Sequence, residues 1–269
     1  MWKKLTRRRY RRLRNISTRP PHFYYIPTIN NTTSNKGKAS QLANTFFPPP
    51  SPAQTTDIRD AIYPPVPNNP TITINQIQRA ITKTSSKKAP GPDEIANVTL
   101  KKTFSITYQL LYALIQASIN IAYFPAPFKT TTTVILCKPV KPDYTKANAY
   151  RSIALENTLS KLIESIIAEL LSHVTEKHQL IPAQHYGGRP RRMGEEAMIM
   201  LVEKIMHAWK ENEVYLAVFI DVTGAFTNVH HERLLHNIKK RKVPNFIVRW
   251  TENFLQGRGQ GHETEIQWS

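Results

Sequence analysis

Apolar residues along the chain follow helical spacing in most places and an unbroken run in one. Leu159, Leu162, Ile163, Ile166, Ile167, Leu170, Leu171 and Val174 recur at i, i+3, i+4 steps, and Met198, Leu201, Val202, Ile205, Met206 and Trp209 repeat the pattern. Each stripe predicts a helix with its apolar face in the core. Ile74, Ile77 and Ile81 follow Thr73, a natural N-cap, and that helix should stop before Ala89-Pro90-Gly91-Pro92. Residues 100–123 read as one or two helices closed by Pro125 and Pro127. Leu234, Leu235 and Ile238, then Phe246, Ile247, Trp250, Phe254 and Leu255, predict two final short helices. Residues 131–137 are rich in β-branched side chains and read as a strand ended by Lys138-Pro139. Helices interleaved with a few isolated strands indicate an α+β fold.

The unbroken run is Val214-Tyr-Leu-Ala-Val-Phe-Ile-Asp221, followed by Val-Thr-Gly-Ala225-Phe226. Without polar alternation it predicts a strand buried on both faces. A buried carboxylate without a partner costs several kcal/mol, so Asp221 should open into a cleft where water or a cation reaches it. Phe226 would then lie in the turn beneath that cleft.

Charge changes the picture. The 269 residues carry a formal net charge of +18, far beyond what solubility requires, so a polyanion such as nucleic acid is the expected partner. No Asp or Glu precedes Asp57, while Lys3, Lys4, Arg7, Arg8, Arg9, Arg11, Arg12, Arg14 and Arg19 crowd the start. Like-charge repulsion and missing apolar periodicity predict a disordered, basic segment, read as a nucleic-acid-binding arm ahead of a localisation tract or an organelle presequence. Pro48-Pro-Pro-Ser-Pro52 and Pro64-Pro-Val-Pro67 bracket a helical candidate over 56–62. The organisation expected is a largely disordered basic and Pro-rich linker over 1–70 and an ordered domain over 71–269. Cys137 is the single cysteine, which rules out an intramolecular disulfide or a cysteine-based zinc site and suits an intracellular protein. No apolar run approaches membrane-spanning length. His231 and His236 are five apart and do not share a helical face as an i, i+4 metal pair would.

Several blocks occur in a telling order: Lys87-Lys-Ala-Pro-Gly-Pro-Asp93, Ala149-Tyr-Arg-Ser-Ile-Ala-Leu-Glu-Asn-Thr-Leu-Ser-Lys161, Gln184-His-Tyr-Gly-Gly-Arg-Pro-Arg-Arg192, and 221–229 with Leu234-Leu235 behind it. Together they resemble the reverse transcriptases of non-LTR retrotransposons over about residues 40 to 258. The resemblance implies a right-hand polymerase, with the fingers and the beginning of the palm in this chain. It implies an RNA-directed DNA polymerase whose partners are template RNA, a DNA primer and deoxynucleoside triphosphates. The alternative is a nucleic-acid-binding protein without catalysis.

The resemblance also assigns residues. Asp221 matches the first catalytic aspartate, a ligand of Mg2+ or its substitute Mn2+, with the Val222 carbonyl as a further oxygen. Phe226 matches the residue that excludes a 2′-hydroxyl. Lys138 and Arg151 match cations that meet the incoming triphosphate. Lys87 and Lys88 belong to a block that helps hold template RNA, and Arg189, Arg191 and Arg192 to a template-side loop. The remaining catalytic pair is expected in a later aromatic-x-Asp-Asp turn, so the chain is expected to be truncated and inactive alone. It also departs from the pattern: Ser152 stands for Pro, Arg191 for Gly, Thr227 for Asp, and Met193 and Gly194 near the usual Ser or Thr.

Overall fold

A computed structural model of the chain describes residues 27–49, 54–63, 71–222, 225 and 228–257, with the backbone alone at 265–268. The basic arm at the start, most of both proline-rich stretches and Phe226 lie outside these residues. In order, the elements are α1 (Asn35–Phe46), α2 (Thr56–Arg59), α3 (Ile74–Lys83), α4 (Asn97–Asn120), β1 (Thr131–Cys137), β2 (Tyr150–Glu156), α5 (Thr158–Lys177), α6 (Gly194–Lys210), α7 (His231–Lys240), α8 (Asn245–Leu255) and β3 (Glu265–Trp268). Among the described residues, no helix is long and apolar enough to cross a membrane.

The main core lies among α3, α4, α5 and α8, where three predicted stripes, Ile77 with Ile81, Leu162 to Leu170, and Ile247 with Trp250, meet Ile115 and Ile119 of α4. Thr73 starts α3 as expected. Its hydroxyl accepts the Gln76 N–H at 3.3 Å, and the Gln76 side chain accepts the Thr73 N–H at 2.8 Å, a reciprocal cap. Phe124, fully buried, sits edge-on to Trp250 and Phe254 with ring centroids 5.3 and 5.2 Å apart. The indole N–H of Trp250 donates to Ser118 Oγ at 3.0 Å, and that hydroxyl donates to the Tyr123 carbonyl at 2.6 Å. The polar atoms inside the aromatic cluster are therefore satisfied.

A smaller core backs the sheet, whose strand order is β2-β1-β3. β1 and β2 pair antiparallel with Cys137 opposite Tyr150 and Thr131 opposite Glu156, while β3 runs parallel to β1. Neither β2 nor β3 stood out in the sequence. Ile29 and Leu42 pack against Ile135, Ala147, Ala149 and Tyr150. Here the linker assigned to residues 1–70 is corrected: α1, capped by Ser34 accepting the Gly37 N–H at 3.2 Å, belongs to the folded body. Its few apolar side chains are too sparse to show a period, yet they find the covered face of the sheet. Burial raises the Cys137 thiol and pushes Tyr150 up to about 12, so both are packing groups.

Sheet and bundle meet at a close joint. Gly91 lies so near the β2–α5 junction that a Cβ there would sit 2.3 Å from the Glu156 carbonyl carbon and 2.5 Å from the Asn157 nitrogen. Asn157 Oδ1 accepts the Asp93 N–H at 3.1 Å and its Nδ2 donates to the Pro127 carbonyl at 3.1 Å.

A second long-range tie holds residues 54–63 to α7. Both guanidinium NH2 groups of Arg233 donate to Asp57, each at 2.7 Å, and one of them also reaches the Gln54 carbonyl. The Tyr63 hydroxyl meets buried His236 Nδ1 at 2.9 Å, with the Lys239 ammonium 5.4 Å from the Tyr63 ring centre. The candidate helix over 56–62 forms only as the short α2.

Two expectations fail. Residues 213–222 form no strand, and Val214, Leu216 and Ile220 are 95, 85 and 86% exposed rather than buried. On α6, Met198, Val202, Met206 and Trp209 are 58, 49, 54 and 70% exposed, so this stripe is not core. Both are amphipathic or apolar enough to be covered. Among the described residues nothing pairs with the run over 213–222 or covers that face of α6, and an apolar pattern selects burial only where a second layer exists to supply it.

Gly91→Ala should cost about 1–3 kcal/mol, because backbone rather than a flexible side chain must yield. A urea midpoint that falls with an unchanged slope is the expected result, and an unchanged midpoint would mean the loop can withdraw freely. The Arg233 hydrogen bonds hold Asp57 down to about 2 from its ordinary 3.8. A depressed carboxylate contributes fully above its unfolded value and loses that contribution as pH falls through the folded one. The tie should therefore hold above about pH 4 and loosen between about 4 and 2. Hydrogen exchange of residues 54–63 across that window should show the loosening, and Arg233→Gln should make exchange there fast at every pH.

Candidate nucleic-acid interface and polymerase site

The Pro-Gly block and the start of α5 are bound together by the joint described above. Lys161 Nζ donates to the Ala89 carbonyl at 3.3 Å, Asn97 Nδ2 to the Ser85 carbonyl at 2.8 Å, and the Thr158 hydroxyl to the Ile95 carbonyl. Pinned on both sides, the loop presents Lys87 and Lys88 to solvent.

The Gly-Gly-Arg loop is held by one arginine. Arg189 Nε and one NH2 group donate to the two Glu176 oxygens, each at 2.7 Å, and the other NH2 group donates to the Pro182 and His185 carbonyls at 2.9 and 3.2 Å. Only 9% of its side chain is exposed. These hydrogen bonds hold the Glu176 carboxyl below the usual carboxylate range and raise Arg189 further. Arg189 thus anchors the loop, while Arg191 and Arg192 remain exposed and Arg192 lies 5.6 Å from the centre of the Tyr186 ring. Gly188 has φ +68 with open space around it, and Arg191 has φ +60. The glycine that the family pattern carries at Arg191 would adopt this left-handed backbone without steric cost.

Both loops open onto one cleft of about 1120 Å³ between α3 and α5. Lys88 comes to it from the first loop and Arg191 from the second, with Lys83 and Lys161 from the helices and Glu169 and Glu176 on its wall. The sequence pointed to the loop cations separately. It missed Glu176, Lys83 and Lys161 as members of the same site, because two helices and two loops must fold before they share a wall.

A second set of cations stands at one end of the β1–β2 hairpin. Arg151 is exposed opposite Leu136, and Lys138 follows Cys137, the partner of Tyr150. Lys138 Nζ donates to the Asn148 carbonyl at 2.9 Å, and its own carbonyl accepts the Tyr144 hydroxyl at 2.7 Å. These bonds hold Lys138 at the corner, and Arg151 is exposed beside it.

Asp221 and Val222 are exposed at the end of the uncovered run. Among the described residues no group of three His, Cys, Asp or Glu side chains could hold a metal ion. Asp221 and a neighbouring carbonyl fit one edge of a hard cation's shell but do not compose a two-ion clamp, whose charges need more negative ligands. Phe226 lies outside the described residues.

Comparison with known proteins follows the same segments. Residues 139–269 match the model of the family described as reverse transcriptase (RNA-dependent DNA polymerase). The chain is 32% identical over 169 residues to a probable RNA-directed DNA polymerase from transposon BS of Drosophila melanogaster, covering 63% of this chain and 18% of that protein. It is 30% identical over 183 residues to the probable enzyme from transposon X-element of the same species, covering 68% and 20% respectively. With the RNA-directed DNA polymerase from its mobile element jockey, the identity is 27% over 187 residues, 70% of this chain and 20% of that one. The chain thus spans between 18 and 20% of the length of these relatives. Matched in its second half by the family pattern and across most of its length by these enzymes, the chain belongs to the reverse transcriptases of non-LTR retrotransposons.

Proposed function

We propose that this chain forms the fingers and the beginning of the palm of an RNA-directed DNA polymerase that copies template RNA from a DNA primer. The observation that carries the reading is the hairpin corner. Lys138 and Arg151, separated along the chain, stand together at one end of the β1–β2 ladder with the guanidinium of Arg151 in solvent. A planar fork of N–H donors suits the oxygens of a triphosphate, and a lysine beside it adds a point charge.

Around that corner the remaining assignments follow from chemistry. Asp221 and the Val222 carbonyl supply hard oxygens for Mg2+, with Mn2+ as a substitute. When bound, such an ion neutralises triphosphate charge and favours the ionised primer hydroxyl. Asp221 holds it at the edge of the nucleotide site. Phe226, five residues on, packs against the deoxyribose and excludes a 2′-hydroxyl. Lys87, Lys88, Arg191 and Arg192 meet template phosphates, and Arg189 sets the loop that carries two of them.

The test is primer extension on an RNA template with magnesium, using the complete polypeptide that contains this segment. Asp221→Asn should lower kcat by orders of magnitude with thermal stability unchanged, because the side chain is exposed and keeps its shape. Arg151→Gln should raise the KM for deoxynucleoside triphosphate about ten- to a hundredfold, the loss expected for hydrogen bonds to a charged group. Phe226→Ala should raise the efficiency of ribonucleotide relative to deoxyribonucleotide incorporation. Full activity of the Asp221 variant would remove it as a metal ligand. RNA binding without any templated synthesis by the complete polypeptide would replace the polymerase reading with that of a non-catalytic nucleic-acid binder.

A further inference from the structure

Two helical lysines reach the cleft from its sides. Lys83 ends α3 and Lys161 lies in the first turn of α5, and both line the space that Lys88 and Arg191 enter from the loops. Lys161 gives one hydrogen bond to the Ala89 carbonyl, which leaves further ammonium protons to donate. Lys83 lies 3.9 Å from Glu169, which Arg79 also approaches at 3.8 Å. Exposed pairs of that length are weak and are readily exchanged for a phosphate.

The carboxylates of the wall do not cancel this charge. Glu169 is shared between Arg79 and Lys83, and Glu176 is taken up by the two-point contact with Arg189. Lys83, Lys88, Lys161 and Arg191 therefore leave a cationic cleft, and Thr84, Asn97, Ser165, Ser172 and His173 add neutral or titratable hydrogen-bonding groups. Its curvature comes from helices, its cations from four separate elements. An extended chain of phosphates can follow such a wall, whereas a single small anion would meet only part of it.

We propose that Lys83 and Lys161 complete, with Lys88 and Arg191, one cleft for the phosphodiester backbone of single-stranded RNA, and that Glu176 is a positioning residue which sets Arg191 there through Arg189. The identity of the polyanion rests on the polymerase reading; the composition of the cleft does not. Glu176 never touches the RNA. It fixes the loop whose left-handed turn at Arg191 would otherwise relax.

The experiment is binding of the full chain to a single-stranded RNA oligomer, followed by fluorescence anisotropy from low to moderate salt. Each phosphate contact contributes about 0.7 to the slope of log affinity against log salt. Lys83→Gln combined with Lys161→Gln should therefore reduce the slope by about 1.4. Lys204→Gln with Lys210→Gln, the same charge change on exposed positions of α6 outside the cleft, should reduce it much less. Glu176→Gln separates position from charge. Removing an anion should tighten RNA binding if charge alone matters, whereas loss of the clamp should weaken it and take about 0.7 from the slope. Glu176→Asp should restore much of the binding, since a carboxylate still pairs with Arg189. Equal slopes for the cleft and α6 double variants would overturn the cleft, and tighter binding by Glu176→Gln would overturn the positioning role. Either result leaves the polymerase reading intact. Failure of the unaltered chain to bind RNA at low salt would remove template binding from that reading, and the cleft with it.

Discussion

The joint between sheet and bundle, and with it the Pro-Gly loop that carries Lys87 and Lys88, rests on the contact between Gly91 and the backbone where β2 becomes α5. No side chain fits there: the Glu156 carbonyl and the Asn157 nitrogen already occupy the space a Cβ would need. The close approach lets Asn157 hold Asp93 on one side and Pro127 on the other. One amide thus fixes the Pro-Gly loop, the start of α5 and the turn leading into β1 relative to one another. Because backbone meets backbone, the joint is rigid in the way packed interiors are, and a shift at Gly91 would be felt at Lys88 and along the hairpin alike.

Charge in this molecule has two uses, and pairing separates them. Arg189 and Arg233 direct their N–H groups at carboxylates and carbonyls of the chain itself, and they tie down a loop and the segment over 54–63. Their neighbours Arg191, Arg192, Lys87 and Lys88 stay exposed. In a chain with net charge +18, an arginine already matched by an acid adds little to the attraction for a polyanion but determines where the unmatched cations stand. The distinction is invisible in a count of basic residues.

The uncovered apolar run before Asp221 and the exposed stripe of α6 follow from the same rule of layers. The four-helix core closes because each stripe meets another, and Trp250 and Ser118 settle the polar atoms inside it. Residues 214–220 have the composition of a buried strand but no partner among the described residues, so they remain exposed and outside any strand. Composition specifies which surface would be buried. Only a neighbour can bury it.

Local features were legible in the sequence for local reasons. The Thr73 cap depends on a residue three positions away, β1 on a run of branched side chains, and the stripes of α3, α5 and α8 on the period of a single helix. Motif order was sufficient to identify the family, and of the loop cations Lys87, Lys88, Arg191 and Arg192 stand in solvent while Arg189 is turned inward. Features that depend on distant segments were not legible. The helix over 35–46 and strand β2 become recognisable once Ile29, Leu42 and Tyr150 share a face, and Arg189 takes its anchoring role only when Glu176 comes within 2.7 Å. By itself the sequence determined the helices with a regular apolar period, the charge and the chemistry available. Tertiary structure decided which cations pair inside the protein and which line a common cleft, because those choices turn on the few ångströms between groups that the chain keeps far apart.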